Sequence, residues 1–145
     1  MGGGSPNVSL STTILTFGVE VVGTASQPLP ITLTNSGTAT LSIASIAASA
    51  NFGQTNNCVP TLASGANCTI NVTFMPSTTG SLNGTVSITD NATGSPQTVS
   101  LSGTGTTVAG GSCSVQGQEC GAPQLPPCCS GLTCVPASTR AFCEP

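Results

Sequence analysis

The chain of 145 residues contains no histidine, lysine, tryptophan or tyrosine, and its one cation is Arg140. Because neither histidine nor lysine is present, a serine or threonine nucleophile lacks its usual general base, and we expect no catalytic residues. One arginine cannot neutralise a row of phosphates, so we expect neither nucleic acids nor anionic membranes as partners. No apolar run approaches the roughly 20 residues of a spanning helix, and we expect no membrane insertion.

Charged side chains of either sign amount to 3% of the sequence, against about 25% in ordinary soluble domains. The acidic residues are spread along the chain, at Glu20, Asp90, Glu119 and Glu144. Their spacing suggests neither a pair of carboxylates for acid–base chemistry nor a set of metal ligands. We therefore expect no metal, no cofactor and no enzymatic activity.

The residues that are present fall into zones of different composition. Residues 1–6 are glycine-rich, and we expect them to be flexible and open to use as an assembly contact. Residues 7–105 are rich in Ser, Thr, Val and Ile, residues 106–112 are interpreted as a linker, and residues 113–145 carry six of the eight cysteines. The opening MGGGSP lacks the basic and apolar segments of a signal peptide, so we interpret the sequence as a processed or partial chain.

Alternation of apolar and polar residues dominates residues 7–105. In CTINVTF, for example, Ile70, Val72 and Phe74 share one face, and threonine and asparagine occupy the other. Similar runs, separated by turn sequences such as NSGT and PSTTG, predict seven or eight strands and no helix. Each predicted strand has one apolar face and one hydroxyl-rich face. We therefore expect an all-β fold of two antiparallel sheets packed face to face, with a closed barrel as the alternative.

Two segments carry a resemblance to a known family, LTFGVEVVGTASQPLPITLTNSGTATLSIASIAAS and NNCVPTLASGANCTINVTFMPSTTGSLNGTVSITDNATGSPQTVSLSGTGT. With their flanks they cover roughly residues 8–105, which are similar to the immunoglobulin-like domains of the ASPM/SPD-2/Hydin type found in bacterial secreted and surface proteins. The resemblance implies an immunoglobulin-like β-sandwich of seven or eight strands in an extracellular setting, with no catalytic residues to carry over.

Cys58 and Cys68 bracket a short turn sequence. A disulfide between them would close a loop of about 11 residues and stabilise the fold by roughly 2–4 kcal/mol. Heavy cysteine usage with an even count is typical of an oxidising compartment, where a pair of buried free thiols is the less favoured alternative. The family resemblance implies the same pairing, and we expect an extracellular or cell-surface protein.

The last zone has the cysteine spacing C-x6-C-x7-C-C-x4-C-x8-C, formed by Cys113, Cys120, Cys128, Cys129, Cys134 and Cys143. A segment this short cannot bury enough apolar surface to fold without cross-links, and six cysteines allow many connectivities. The adjacent central pair in PCCSGLTC, with the closing FCEP, resembles the inhibitor cystine knot, or knottin. That resemblance implies the pairs Cys113–Cys129, Cys120–Cys134 and Cys128–Cys143. Zinc is the competing use of clustered cysteines, although it usually takes spaced pairs and often histidine.

Three functions of different classes are open. The first, which we favour, is a structural subunit that assembles with copies of itself or with other surface proteins into a filament or layer, because the sheet edges have almost no charge to guard them. Strand addition between subunits is one route, with PNVSLSTTILTF as a candidate donor segment. The second is a secreted adhesion or binding module. The third is a knottin-type protease inhibitor that presents Arg140 in the loop VPASTRAF.

Five N-x-[ST] sequons occur, at Asn7, Asn67, Asn71, Asn83 and Asn91. They predict glycan attachment in a host with the N-linked pathway, and the chain would then be a glycoprotein. In a sequence so rich in asparagine, serine and threonine, chance alone produces several such triplets. The outward threonines also have a plain structural interpretation, since threonine is a good strand former.

Overall fold

The computed structural model describes residues 3–107 with their side chains, and the backbone of residues 119–120, 133–136 and 141–144. The chain divides into two compact units, residues 1–106 and 107–145. Within the described ranges every regular element is a β-strand. The same ranges contain no helix long and apolar enough to cross a membrane.

Nine strands make up the described part of the first unit. They are β1 (Val8–Leu10), β2 (Ile14–Val21), β3 (Leu29–Asn35), β4 (Leu41–Ala48), β5 (Phe52–Asn56), β6 (Thr61–Leu62), β7 (Asn67–Phe74), β8 (Gly80–Asp90) and β9 (Gln97–Thr106). Valine, isoleucine and threonine favour the extended backbone of the longer strands. Because successive side chains point to opposite faces, these strands have an apolar face and a hydroxyl-bearing face.

The nine strands form two sheets. One has the order β1-β3-β7-β5 and is antiparallel throughout, and the other has the order β2-β9-β8-β4-β6 with one parallel pair, β2 with β9. The chain changes sheet between β1 and β2. There Ser11 N donates to Thr32 O of the first sheet at 2.9 Å, and Ser100 N of the second sheet donates to Thr13 O at 2.8 Å. The arrangement is a two-sheet sandwich, so the closed-barrel alternative was wrong.

Side chains from both sheets fill the space between them. The rings of Phe17, Phe52 and Phe74 lie with their centroids 5.0 to 5.8 Å apart. The leucine, isoleucine and valine side chains buried in the same cluster are Leu15, Ile31, Leu33, Leu41, Ile43, Leu62, Ile70, Val72, Val86, Ile88, Val99 and Leu101. Burial of each large side chain contributes about 1.5–3 kcal/mol, so this cluster is the main source of stability for the unit.

Two glycines make room for the aromatic rings. A Cβ on Gly84 of β8 would lie 2.7 Å from Cδ2 of Phe52, and a Cβ on Gly103 of β9 would lie 2.7 Å from Cδ1 of Phe74. Both distances are far below van der Waals contact. The rings can therefore occupy their positions only because these two strands carry no side chain there.

The strand count exceeds the predicted seven or eight, because β5 and β6 show no alternation. The β5 sequence FGQTN holds a single apolar residue, Phe52, and β6 is two residues long. Neither pattern can be told from a loop in the sequence alone. The other seven strands coincide with the alternating runs of the sequence.

The residues before β1 lie against the turn that follows β3. Ser5 O accepts hydrogen bonds from Thr38 N at 3.0 Å and from Ala39 N at 3.4 Å. Further along, β1 and β2 are paired within the sheets of their own chain. Donation of the segment PNVSLSTTILTF to a neighbouring subunit would therefore require both of these pairings to break.

The second unit is described through three short strands, β10 (Glu119–Cys120), β11 (Thr133–Pro136) and β12 (Ala141–Glu144). They form an antiparallel sheet in the order β10-β12-β11, in which Cys134 and Cys143 are backbone register partners. The tail cysteine side chains and Arg140 lie outside the described residues. The inhibitory loop therefore stays a prediction, and so do the three tail disulfides, Cys113–Cys129, Cys120–Cys134 and Cys128–Cys143.

Candidate assembly surface

The outermost strands of the sandwich are β1 and β5 in one sheet and β2 and β6 in the other. Open edges are templates for pairing with another chain, and proteins usually shorten, bend or charge them. β1 has three residues and β6 has two. β2 has a register shift between Thr16 and Val19 and carries Glu20. Among these outermost strands, β5 is thus the one that is longer than three residues, free of a register shift and uncharged.

The hydrogen bonds at the two ends of β5 show which of its groups face β7. Before the strand, Met75 N donates to Asn51 O at 2.8 Å, and after it Asn57 N donates to Thr69 O at 3.4 Å. The antiparallel register between β5 and β7 has no shift between these two points. In an antiparallel ladder every second residue bonds to the neighbouring strand. The backbone N–H and C=O groups of the odd-numbered residues of β5 therefore point toward β7.

The backbone N–H and C=O groups of the even-numbered residues of β5 therefore point away from β7. Gly53 and Thr55 direct their backbone groups to β7, whereas Gln54 and Asn56 direct N–H and C=O to the open side of the strand. Within residues 3–107 these outward groups have no hydrogen-bond partner. This row of donors and acceptors is what a further strand would pair with.

Side-chain contacts hold the edge in place. Asn51, at the corner before β5, has a φ of 71°, a conformation that asparagine tolerates better than most residues. Its Oδ1 accepts hydrogen bonds from Ser77 N at 2.9 Å and from Ser77 Oγ at 2.7 Å. Gln54 reaches the opposite sheet, where its Nε2 donates to Ile46 O at 2.8 Å, and its Oε1 accepts from Asn56 Nδ2 at 2.8 Å. The edge is therefore tied to both sheets.

A disulfide ties the far end of β5 to β7. Cys58 and Cys68 are bonded to each other, their Cα atoms lie 5.1 Å apart, and both residues are buried. Closing a loop of this length stabilises a fold by about 2–3 kcal/mol in the chain-entropy account. The bond fixes the position of β5 relative to the centre of its sheet.

Two open grooves lie beside β5 and share Gly53 and Thr73. The edge groove, of about 500 Å³, is further lined by Pro28, Gln54, Thr55 and Asn71. The corner groove, of about 370 Å³, is further lined by Ala25, Ala50, Asn51, Phe52, Met75 and Ser77. Neither lining contains a charged residue, and Met75 is 53% exposed. The surroundings of the edge are neutral and partly apolar.

The outer faces of both sheets are also nearly free of charge. Pairs of small polar residues, such as Thr32 with Thr69, lie side by side across neighbouring strands. Glu20 and Asp90 are the charged residues between positions 3 and 107. Asp90 stabilises the turn after β8, where its Oδ1 accepts a hydrogen bond from Ala92 N at 2.8 Å. Two copies of this unit would therefore repel each other only weakly.

The sequon asparagines differ in their surroundings. Asn7 Nδ2 donates to a serine hydroxyl at 2.8 Å, and Asn91 Oδ1 accepts from a backbone N–H at 2.8 Å. Asn71 is half-buried and lines the edge groove. Asn67 and Asn83 are exposed, and their side chains make no hydrogen bond within residues 3–107. Of the five, these two are the ones whose side chains are both exposed and unengaged within residues 3–107.

Sequence reasoning missed the residues that shape the β5 edge, namely Asn51, Gln54 and Asn56. An asparagine before Phe-Gly is a turn signal, but an edge is defined by the absence of a neighbouring strand, which no local pattern records. Across the ranges that the structure describes, no cluster of three potential metal ligands is found.

The family model of Cep192 domain 4 matches residues 5–106. Among solved structures, a protein of unknown function from Porphyromonas gingivalis W83 has a TM-score of 0.59 at 16% identity, covering 69% of this chain and 47% of that one. The ASH / PapD-like domain 7 of human CEP192 has a TM-score of 0.57 at 17% identity, covering 72% and 88%. The secreted serine protease VesC from Vibrio cholerae has a TM-score of 0.51 at 17% identity, covering 70% and 23%. No curated protein matches the chain in sequence.

At such identities these structures are evidence of fold alone, and the chain spans about half of the first of them. The prediction of an all-β, immunoglobulin-like domain is confirmed. The family match covers well over half of the sequence and coincides with the first unit. The chain therefore belongs to the Cep192 domain 4 family.

Proposed function

We propose that this chain is a non-enzymatic structural protein of the cell exterior that assembles with copies of itself into a filament or layer. The observation that carries the proposal is a regular, unguarded edge at β5 on a unit whose surface is nearly free of charge. Soluble monomers usually protect such an edge, since open edges pair with other strands. Here charge neither guards the edge nor keeps neighbouring copies apart.

Cysteine chemistry supports the extracellular location. The fold contains the Cys58–Cys68 disulfide, and disulfides form and persist in oxidising compartments but are rare in the cytosol. The second unit carries six cysteines, and its described strands have two to four residues, too few to bury a core of their own. We propose a cystine knot there, with the pairs Cys113–Cys129, Cys120–Cys134 and Cys128–Cys143. It would act as a rigid, protease-resistant contact or decoration on the assembly.

Negative-stain microscopy of the purified protein, with its disulfides intact, tests the structural role. We expect ordered filaments or layers at physiological salt. They should persist at about 1 M salt, where the Debye length falls to about 3 Å, because few charges take part in the contacts. Isolated single molecules at every concentration and in both salts would contradict the proposal.

We further propose that N-linked glycans, in a host that adds them, are attached at Asn67 and Asn83. The support is that both side chains are exposed and unengaged within residues 3–107. Peptide mapping by mass spectrometry of the native protein should find sugar on these two residues and none on Asn7 or Asn91, whose side chains are held by hydrogen bonds through Nδ2 and Oδ1, respectively. The reverse distribution would contradict this assignment.

A further inference from the structure

We propose that β5 pairs with β5 of a second copy in antiparallel orientation, so that two four-stranded sheets become one continuous sheet. This inference rests on the proposed self-assembly and names its first contact. Gln54 and Asn56 already direct their N–H and C=O groups away from β7. When two such strands run antiparallel, each donor of one strand meets an acceptor of the other.

We assign the open side of β5 to a second copy of the chain, because β5 matches another β5 better than it matches the other outermost strands. A two-fold contact uses the same patch on both molecules and is therefore self-complementary. The other outermost strands within residues 3–107 are three residues long at β1, two residues long at β6, and bulged at β2. None of them supplies a regular run of five residues.

The chemistry around the edge also favours a neutral partner. The edge groove and the corner groove are both lined by uncharged residues. An acidic or basic peptide would find no opposite charge here, whereas a second β5 brings none. At the start of the strand, the exposed side chain of Met75 adds apolar surface that pairing would remove from water.

The edge is fixed before any partner arrives. The Asn51 corner, the Gln54 side chain and the Cys58–Cys68 disulfide each tie it to the rest of the unit. A strand that is already ordered loses little conformational entropy on pairing. A short strand can therefore provide a useful contact.

Thr55 is the position at which this pairing can be tested. Its side chain is exposed and its backbone faces β7, so Thr55→Lys adds a charge beside the edge without removing an outward group. If the two-fold axis passes through Thr55, the two copies of Thr55 lie directly opposite each other, and if it passes through Gln54, they are diagonal neighbours. Their Cβ atoms are then about 4.5–8 Å apart. Thr98→Lys is the matched control, because Thr98 is exposed on β9, an interior strand of the other sheet.

Sedimentation equilibrium of the full chain gives the dimerisation constants. We expect Thr55→Lys and Thr55→Glu each to weaken dimerisation by at least about tenfold, since like charges would meet across the contact. An equimolar mixture of the two variants should recover the wild-type affinity, and Thr98→Lys should keep it. A folding defect would not be rescued by mixing, so recovery identifies the contact itself.

Amide hydrogen exchange supplies a second, independent readout. In dilute wild-type protein the amides of Gln54 and Asn56 should exchange quickly, and they should become protected as the dimer forms. If wild type dimerises and Thr55→Lys dimerises equally well, the β5 contact is overturned while self-assembly stands. Protection in the dilute monomer would mean that the chain covers its own edge, which also overturns the inference. A wild type that stays monomeric with unprotected amides overturns this inference and the proposed function together.

Discussion

Asn35 shows how this sandwich buries a polar side chain. It is fully buried, its Nδ2 donates to Ala39 O at 2.8 Å and to Leu62 O at 3.0 Å, and its Oδ1 accepts from Gly37 N at 3.1 Å. These contacts join the end of β3 to the next turn and to β6. A buried amide is tolerated when its donors and acceptors are satisfied. Asn35 is therefore a structural residue, and the sequence gives no sign of it because asparagine usually marks a turn.

Substitution of Asn35 tests this role. Asn35→Asp replaces two donated hydrogen bonds with an oxygen that faces two carbonyl oxygens, and we expect it to lower the free energy of unfolding by about 3–5 kcal/mol. Urea denaturation measures the change. Asn83→Asp is the matched control, because Asn83 is exposed, and it should change stability by less than about 0.5 kcal/mol. Equal effects of the two substitutions would contradict the role given to Asn35.

The close approach at Gly103 gives a second prediction at this scale. Gly103→Ala places a methyl group against the ring of the fully buried Phe74, and we expect a loss of about 1–3 kcal/mol from overpacking. Gly18→Ala is the control, since a Cβ on Gly18 would meet no heavy atom within 4 Å. Thermal or urea unfolding of the two variants compares them. A Gly103→Ala protein as stable as wild type would show that the core can accommodate the methyl group.

At the scale of elements, the strands that the sequence predicts are those whose burial imposes alternation. β7 is an example, since Ile70, Val72 and Phe74 are fully buried and the residues between them are not. β5 escaped prediction because it is an edge strand. Its second inward residue is Gln54, whose amide is satisfied by a hydrogen bond to Ile46 O instead of by apolar contact. The alternation of apolar and polar residues therefore identifies the central strands, but it does not identify the edge strand β5.

Strand pairing was beyond the reach of the sequence for a different reason. The parallel pairing of β2 with β9 joins residues more than 80 positions apart, such as Ile14 with Ser100. Alternation says which face of a strand is buried, but it does not say which strand lies beside it. The outermost strands, and with them the candidate site, follow from pairing and so had to come from the structure.

Removal of the Cys58–Cys68 disulfide tests how far β5 depends on its tie to β7. The double variant Cys58→Ala/Cys68→Ala should lower the free energy of unfolding by about 2–3 kcal/mol. It should also speed hydrogen exchange at Thr55, whose backbone faces β7. Unchanged stability and exchange would contradict this account of the bond. The double variant is preferred to a reducing agent, which would also reach the six tail cysteines.

At the scale of the whole molecule, the low number of charged residues can be read directly from the sequence, and it determines the charge of the surface. Five charged residues in 145 leave the described sheets almost neutral on both outer faces. A neutral surface lacks the long-range repulsion that keeps copies of a soluble protein apart, and its contacts depend little on salt. The open, regular edge of β5 then gives such copies a place to join.

Sedimentation velocity of the intact protein, over a wide range of concentration in about 0.01 M and about 1 M salt, tests this account most directly. We expect the average mass to rise with concentration, and the midpoint of the rise to be the same in both salts. A single monomeric species at every concentration would contradict it, and so would assemblies that dissolve in the higher salt.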